Sequence, residues 1–202
     1  MFKIILGLLL LIPTHVTSNI STDNQRAPAY ENWNWLSIQP ENRCSPYNRK
    51  VDYAYEMEIE NAIVTKMNGH VYEPYTGRYF SSSKQTDIEH IVATSEAHDS
   101  GLCSRTKEVR QAFASDLLNL TLATPKINRC SKTGKCALDA GEWLPEENKC
   151  WFASRIVLVK KKYRLSMDRK EFETLKSILA NCDNLEMFFH TRASIRETLV
   201  HP

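Results

Sequence analysis

The residues best equipped for chemistry lie together in Asp87-Ile88-Glu89-His90-Ile91-Val92. Carboxylates are hard oxygen ligands for a cation, and an imidazole titrates nearer neutral pH than any other side chain, so this group can hold an ion and move a proton. The β-branched residues at 88, 91 and 92 favour extended backbone. Alternation along a strand turns Asp87, Glu89 and Ile91 to one face and Ile88, His90 and Val92 to the other. Glu89 and His90 therefore diverge along a regular strand and serve one site only near its end. The plainer reading is a sheet edge carrying solvated charges, and the chemical reading needs partners elsewhere in the chain.

Such partners follow. Asn119 to Ala123 alternates polar and apolar residues, as a short strand does. Pro125 suits the first turn of a helix that would carry Lys126, Asn128 and Arg129. A strand ending in Glu-His, a long insertion, a second strand and a helix make a ββα order. In that order, Asp87-Ile88-Glu89-His90-Ile91-Val92, Asn119-Leu120-Thr121-Leu122-Ala123 and Lys126-Ile127-Asn128-Arg129 resemble the HNH, or His-Me finger, endonucleases. The wider stretch, roughly residues 70 to 165, looks like an exported branch of that family. It adds Tyr72-Glu73-Pro74-Tyr75-Thr76-Gly77, Ser95-Glu96-Ala97-His98 and Glu142-Trp143-Leu144-Pro145. The chain departs from the family in two places, with Glu89 where Asp is common and Ala93 where Pro is common.

The resemblance implies a role for each residue. His90 would be the general base that takes a proton from the attacking water. Glu89 and Asn128 would hold one divalent cation, Mg²⁺ or Mn²⁺, through oxygen. Asp87 would bind the ion's water shell or orient the strand, and a carbonyl on the strand at 119–123 would fix the His90 tautomer. As simpler alternatives, His90 is a buried hydrogen-bonded histidine, Asn128 a helix-end residue and Asp87 a strand cap. His98 reads as a surface or structural histidine and not as a second catalytic one. For substrate contact, Lys126, Arg129, Lys132 and Lys135 form one cationic cluster, and Lys160, Lys161, Lys162 and Arg164 another. The second cluster is better explained as a solvated face with favourable cations at a helix C-terminus. No stripe of stacking aromatics appears, so little sequence preference is expected.

Two hundred and two residues with 42% hydrophobic content suit one domain with appendages. Met1 to Ser18 reads as a signal peptide, with Lys3, an apolar run from Ile4 to Ile12, and small residues at Val16-Thr17-Ser18. Its removal lowers the formal charge from +2 to +1, since Lys3 is its only charged residue. Net charge is thus uninformative about partners. The remainder carries Cys44, Cys103, Cys130, Cys136, Cys150 and Cys182. An even count in an exported chain favours disulfides over a metal cluster, and no Cys-x-x-Cys pair is present. Sequence does not choose the pairing; the working expectation is 130 with 136, 150 with 182 and 44 with 103.

A lead-in over 19–42 is pinned by Trp33 and Trp35. A helical stripe follows at Val51, Tyr55, Ile59, Ile63 and Met67, closed by Asn68-Gly69. Val71-Tyr72 and Tyr79-Phe80 flank a Pro/Gly turn and predict a hairpin. Further helices are expected from about Ser104 to Leu118, from Glu146 to Tyr163, and after the Asp168-x-x-Glu171 capping pattern, with a partly helical tail from Leu185. Asn19-Ile20-Ser21 and Asn119-Leu120-Thr121 match the glycosylation acceptor pattern.

These readings predict an α+β fold, with a ββα-metal core wrapped in helices and stapled by disulfides. Its parts are a signal peptide (1–18), a lead-in with a helix (19–69), a nuclease core (70–165) and C-terminal helices (166–202). The expected protein is an extracellular or periplasmic, monomeric, metal-dependent endonuclease, acting on DNA or RNA, with a protein inhibitor as an open partner. Two rivals are a non-catalytic nucleic-acid-binding or envelope protein on a decayed nuclease scaffold, and a purely structural disulfide-stapled module.

Overall fold

The Pro74-Tyr75-Thr76-Gly77 turn closes a hairpin, with Gly77 in the left-handed region at φ 70°. Its strands β1 (Val71–Glu73) and β2 (Arg78–Phe80) pair antiparallel with Tyr72 opposite Tyr79. β3 (Asp87–His90) and β4 (Leu120–Ala123) form a second antiparallel pair, with Glu89 opposite Thr121 and His90 opposite Leu120. The structure, a computed structural model, describes residues 32–190. The expected signal peptide, the acceptor at Asn19 and the end of the tail lie outside them. Around the two hairpin-like sheets lie, among the described residues, seven helices: α1 (Arg49–Asp52), α2 (Ile59–Lys66), α3 (Thr94–Asp99), α4 (Lys107–Ala114), α5 (Pro125–Asn128), α6 (Lys149–Tyr163) and α7 (Arg169–Ala180). The fold is α+β, stapled by disulfides Cys44–Cys103, Cys130–Cys136 and Cys150–Cys182, the pairing expected.

One apolar core gathers Tyr53, Tyr75, Leu102, Phe113, Phe152 and Val159, and a smaller one under the first hairpin holds Ile63, Tyr72, Ile88 and Leu122. Trp33 packs edge-on against Phe172 at 5.1 Å, so the lead-in is pinned as its tryptophans suggested. Between α3, α6 and α7 the fully buried Lys160 binds Glu96 at 2.7 Å, Glu171, and the Ser166 carbonyl at 3.1 Å. Lys160 is therefore withdrawn from any surface, and its expected contact with nucleic acid is corrected by that burial. The Asp168 carboxylate caps α7 by accepting from Glu171 N–H at 2.7 Å, while the Glu171 side chain goes to Lys160.

Four local expectations change, each through a tertiary contact. The stripe from Val51 to Met67 is two helices, because Tyr53 turns inward and its hydroxyl bonds His98 Nδ1 at 2.8 Å, leaving Val51 49% exposed. The helix expected from Ser104 starts later, capped by Thr106, because Leu102–Ser104 form a tight 3-10 turn around the Cys44–Cys103 bridge. The third strand stops at His90 instead of Val92. There Asn119, itself buried, takes over the ladder: its amide oxygen accepts from Val92 N–H at 2.7 Å and its amide nitrogen donates to Val92 O at 3.1 Å. The described tail, residues 185–190, is not helical. Asn148 holds it by exchanging hydrogen bonds with Phe188 N and O.

Removing the ammonium of Lys160 would strand two buried carboxylates. Lys160→Met is expected to cost about 3–5 kcal/mol of folding stability, read by urea denaturation.

Candidate active site

Alternation along β3 does what the pattern requires. Asp87 and Glu89 turn toward α5 and the loop behind it, and His90 turns toward α4. Both sides reach one cleft of about 560 Å³ because the strand ends there; Asp87, Glu89, His90, Asn128 and Arg129 all line it, with Tyr47, Arg49 and Tyr55 from the N-terminal segment.

His90 is 6% exposed. Its Nε2 lies 2.9 Å from the Ala114 carbonyl. A carbonyl only accepts, so Nε2 carries the hydrogen and Nδ1 keeps the lone pair. The last turn of a helix leaves carbonyls without intrahelical donors, and this one orients the ring. The tautomer is thus set from α4, not from the strand at 119–123 as expected. The Tyr55 and Phe113 rings flank it at 5.4 and 6.5 Å. Burial pushes the imidazole down to about 4; the Ala114 carbonyl pulls it back up in part, and the lesser effects of the Arg49 and Lys135 charges add to the lowering. The ring is neutral at pH 7, the state a base requires.

Asp87 is gripped from α5. Its carboxylate accepts from Asn128 Nδ2 at 3.2 Å and, in a two-pronged pair, from Arg129 Nε and Nη2 at 3.0 Å each. Asn128 thereby keeps its amide oxygen for another partner. Glu89 differs from the sequence expectation. It is 2% exposed and paired at 3.0 Å with Lys135, itself 1% exposed, whose ammonium also donates to the His90 carbonyl at 3.1 Å. Burial pushes the Glu89 carboxyl up, and the Lys135 charge pulls it back down. Lys135 was grouped above with substrate-contacting cations; it is instead an internal counter-ion to Glu89.

The remaining cations are dispersed. Arg129 and Lys132 are exposed on the segment joining α5 to Lys135. Lys126 borders a separate cavity of about 180 Å³ with Glu73 and Trp143. Lys161 is exposed on α6, away from the cleft lining. His98 is fully buried between Tyr53 and Ser45, a structural histidine. Lys135 was given a different role, and Arg49 was missed as part of the site. A lysine enclosed by the Cys130–Cys136 ring is a faint signal for the first; nothing along the sequence marks the second, 41 residues before His90.

Residues 29–177 match the model of the family described as GmrSD restriction endonucleases, C-terminal domain. With most of the chain matched, the protein belongs to this family of restriction-endonuclease domains. A protein of Arthroderma benhamiae named "uncharacterized secreted protein" is 32% identical over 121 residues, covering 57% of this chain and 56% of its own length. The chain thus spans about half the length of that relative. No solved structure matches.

Lys135→Met is expected to cost about 3–5 kcal/mol, because it leaves Glu89 charged and buried alone. Lys135→Met combined with Glu89→Leu should return most of that loss in urea denaturation, since an apolar pair replaces the ionic one.

Proposed function

We propose that the protein is an exported endonuclease of the His-Me finger type, hydrolysing phosphodiester bonds of DNA or RNA with little sequence preference. The observation that carries this reading is the meeting, in one cleft, of a neutral histidine with a free Nδ1 and the Asp87–Asn128 pair. Membership of a restriction-endonuclease family supports it, as do three disulfides suited to an oxidising compartment. No helix among the described residues is long and apolar enough to cross a membrane.

The donor set fits an oxygen-preferring divalent ion at Asn128 and Asp87, where an amide oxygen and a half-buried carboxylate face the cleft. It does not fit one at Glu89, which is sealed against the equally buried Lys135; Asp87 is paired too, but with an Arg129 side chain that is 70% exposed and has room to yield its place. Mg²⁺ or Mn²⁺ held at Asp87 and Asn128 would supply positive charge where negative charge develops on the phosphate and the leaving oxygen. His90 Nδ1 takes the proton of a water as that water's oxygen attacks phosphorus. The Ala114 carbonyl holds the opposite N–H, so the lone pair stays aimed. Tyr55 and Phe113 hold the ring against rotation. The phosphorus–oxygen bond to the leaving nucleotide then breaks.

A plasmid-nicking assay with Mg²⁺ tests this. His90→Ala is expected to lose about 10²–10⁴ in rate, and equal rates for variant and wild type would refute the mechanism. In the free protein the base is deprotonated above its pKa of about 4. kcat/KM should therefore hold from neutrality into mild acid and fall only as pH drops through that value, measured as an initial-rate profile.

A further inference from the structure

Among the described residues, two arginines border the cleft, and a third cation lies beneath it. Two of the three are engaged. Arg129 is locked onto Asp87 by two donors, and Lys135 is divided between Glu89 and the His90 carbonyl. Arg49 has no carboxylate partner among the described residues; Glu60 shares the cleft rim without pairing with it.

Arg49 is exposed yet held in place. Its Nη2 donates to the Tyr55 hydroxyl at 3.2 Å, and its guanidinium carbon lies 5.9 Å from the centre of that ring. The same ring lies 5.4 Å from that of His90. One aromatic side chain thus bridges the guanidinium and the imidazole. The backbone beneath is fixed as well: Asn48 caps α1, Asp52 pairs with Arg110 of α4 at 3.3 Å, and Tyr53 is anchored on His98. α4 is also the helix whose Ala114 carbonyl aims His90. The two side chains are therefore held in register by one packed unit, with most donors of the Arg49 fork unused.

We propose that Arg49 is the phosphate-binding residue of the cleft, its guanidinium receiving the non-bridging oxygens of the scissile phosphodiester and holding phosphorus beside His90 Nδ1. The proposal rests on the nuclease reading and adds a residue to it. A planar fork matches two phosphate oxygens at once, which a point charge does not. A cation placed beforehand where negative charge develops acts chiefly on the transition state. The partner is any nucleic-acid backbone, so the contact carries no sequence information.

The test compares wild type, Arg49→Gln, Arg49→Lys and Lys50→Gln. Lys50 removes the same charge from the next position of the same helix, outside the cleft lining. Each variant's melting is checked first; both positions are exposed, so the fold should be kept. Cleavage of a fluorescent oligonucleotide with Mg²⁺ gives kcat and KM, and its binding in EDTA is followed across a salt series. Arg49→Gln should lose about 10²–10³ in kcat/KM, mostly in kcat. Its salt slope for binding should fall by about one phosphate contact. Arg49→Lys should lie between, keeping the charge and losing the fork, and Lys50→Gln should match wild type. If wild type cuts and Arg49→Gln cuts equally well, this proposal is overturned and the nuclease reading stands. If wild type neither binds nor cuts, the nuclease reading falls and takes this one with it.

Discussion

The ammonium of Lys135 is the contact on which the cleft depends. It ties the loop after α5 to the end of β3 through the Glu89 carboxylate and the His90 carbonyl. The backbone of the same residue also holds α5, its amide N–H donating to Ile127 O at 2.7 Å. The Cys130–Cys136 bridge closes the same loop covalently. Asn128 and Arg129 are thereby brought to Asp87. The substitution that seemed to weaken a metal site, Glu for Asp at position 89, acquires a different sense here. The carboxylate serves an internal ion pair with Lys135, and the proposed ion site is moved to Asp87 and Asn128.

The rest of the molecule keeps that end of β3 fixed. Asn119 replaces two ladder hydrogen bonds at the point where β3 must stop, so His90 can turn away from its strand without leaving Val92 unpaired. α4 supplies the carbonyl that sets the tautomer and the phenylalanine that backs the ring. α4 is positioned in turn by α1 through Asp52–Arg110 and by α6, where the Tyr163 hydroxyl and Lys162 both meet Asp116. Lys160 fastens α6 to α3 and α7. Buried charge thus recurs as a joint between elements, in a chain with two modest apolar cores.

Much of this was legible in the chain. The hairpin around Pro74–Gly77, both strands of the second sheet, the Pro125 helix and the Asp168 cap follow from local chemistry, and the structure bears them out. So does the alternation that sends Glu89 and His90 to different neighbours. The cysteine pairing, which sequence does not choose, matches the working expectation. What failed were readings in which a charged residue was taken for surface because it is charged. Lys160 and Lys135 sit in runs that look solvated, and only three-dimensional proximity to Glu96, Glu171 and Glu89 explains their burial. The break after α1 has the same origin: Tyr53, which lies off the stripe of Val51 and Tyr55, is drawn inward by His98, 45 residues away. Arg49 belongs to this class, since no period or motif connects it with His90.

Asn119 opens a tripeptide, Asn-Leu-Thr, that oligosaccharide-transferring enzymes recognise in unfolded chains. In the finished molecule its amide is sealed at 0% exposure and engaged on both sides. A sugar attached there would sever Val92 from its clasp and force the two strands of the site apart. In any secretory route that carries such enzymes, this asparagine must be enclosed before it is read. Biogenesis of an intact cleft then becomes a race between collapse around Val92 and modification, and the stretch encoding the clasp is also the point at which maturation can go astray.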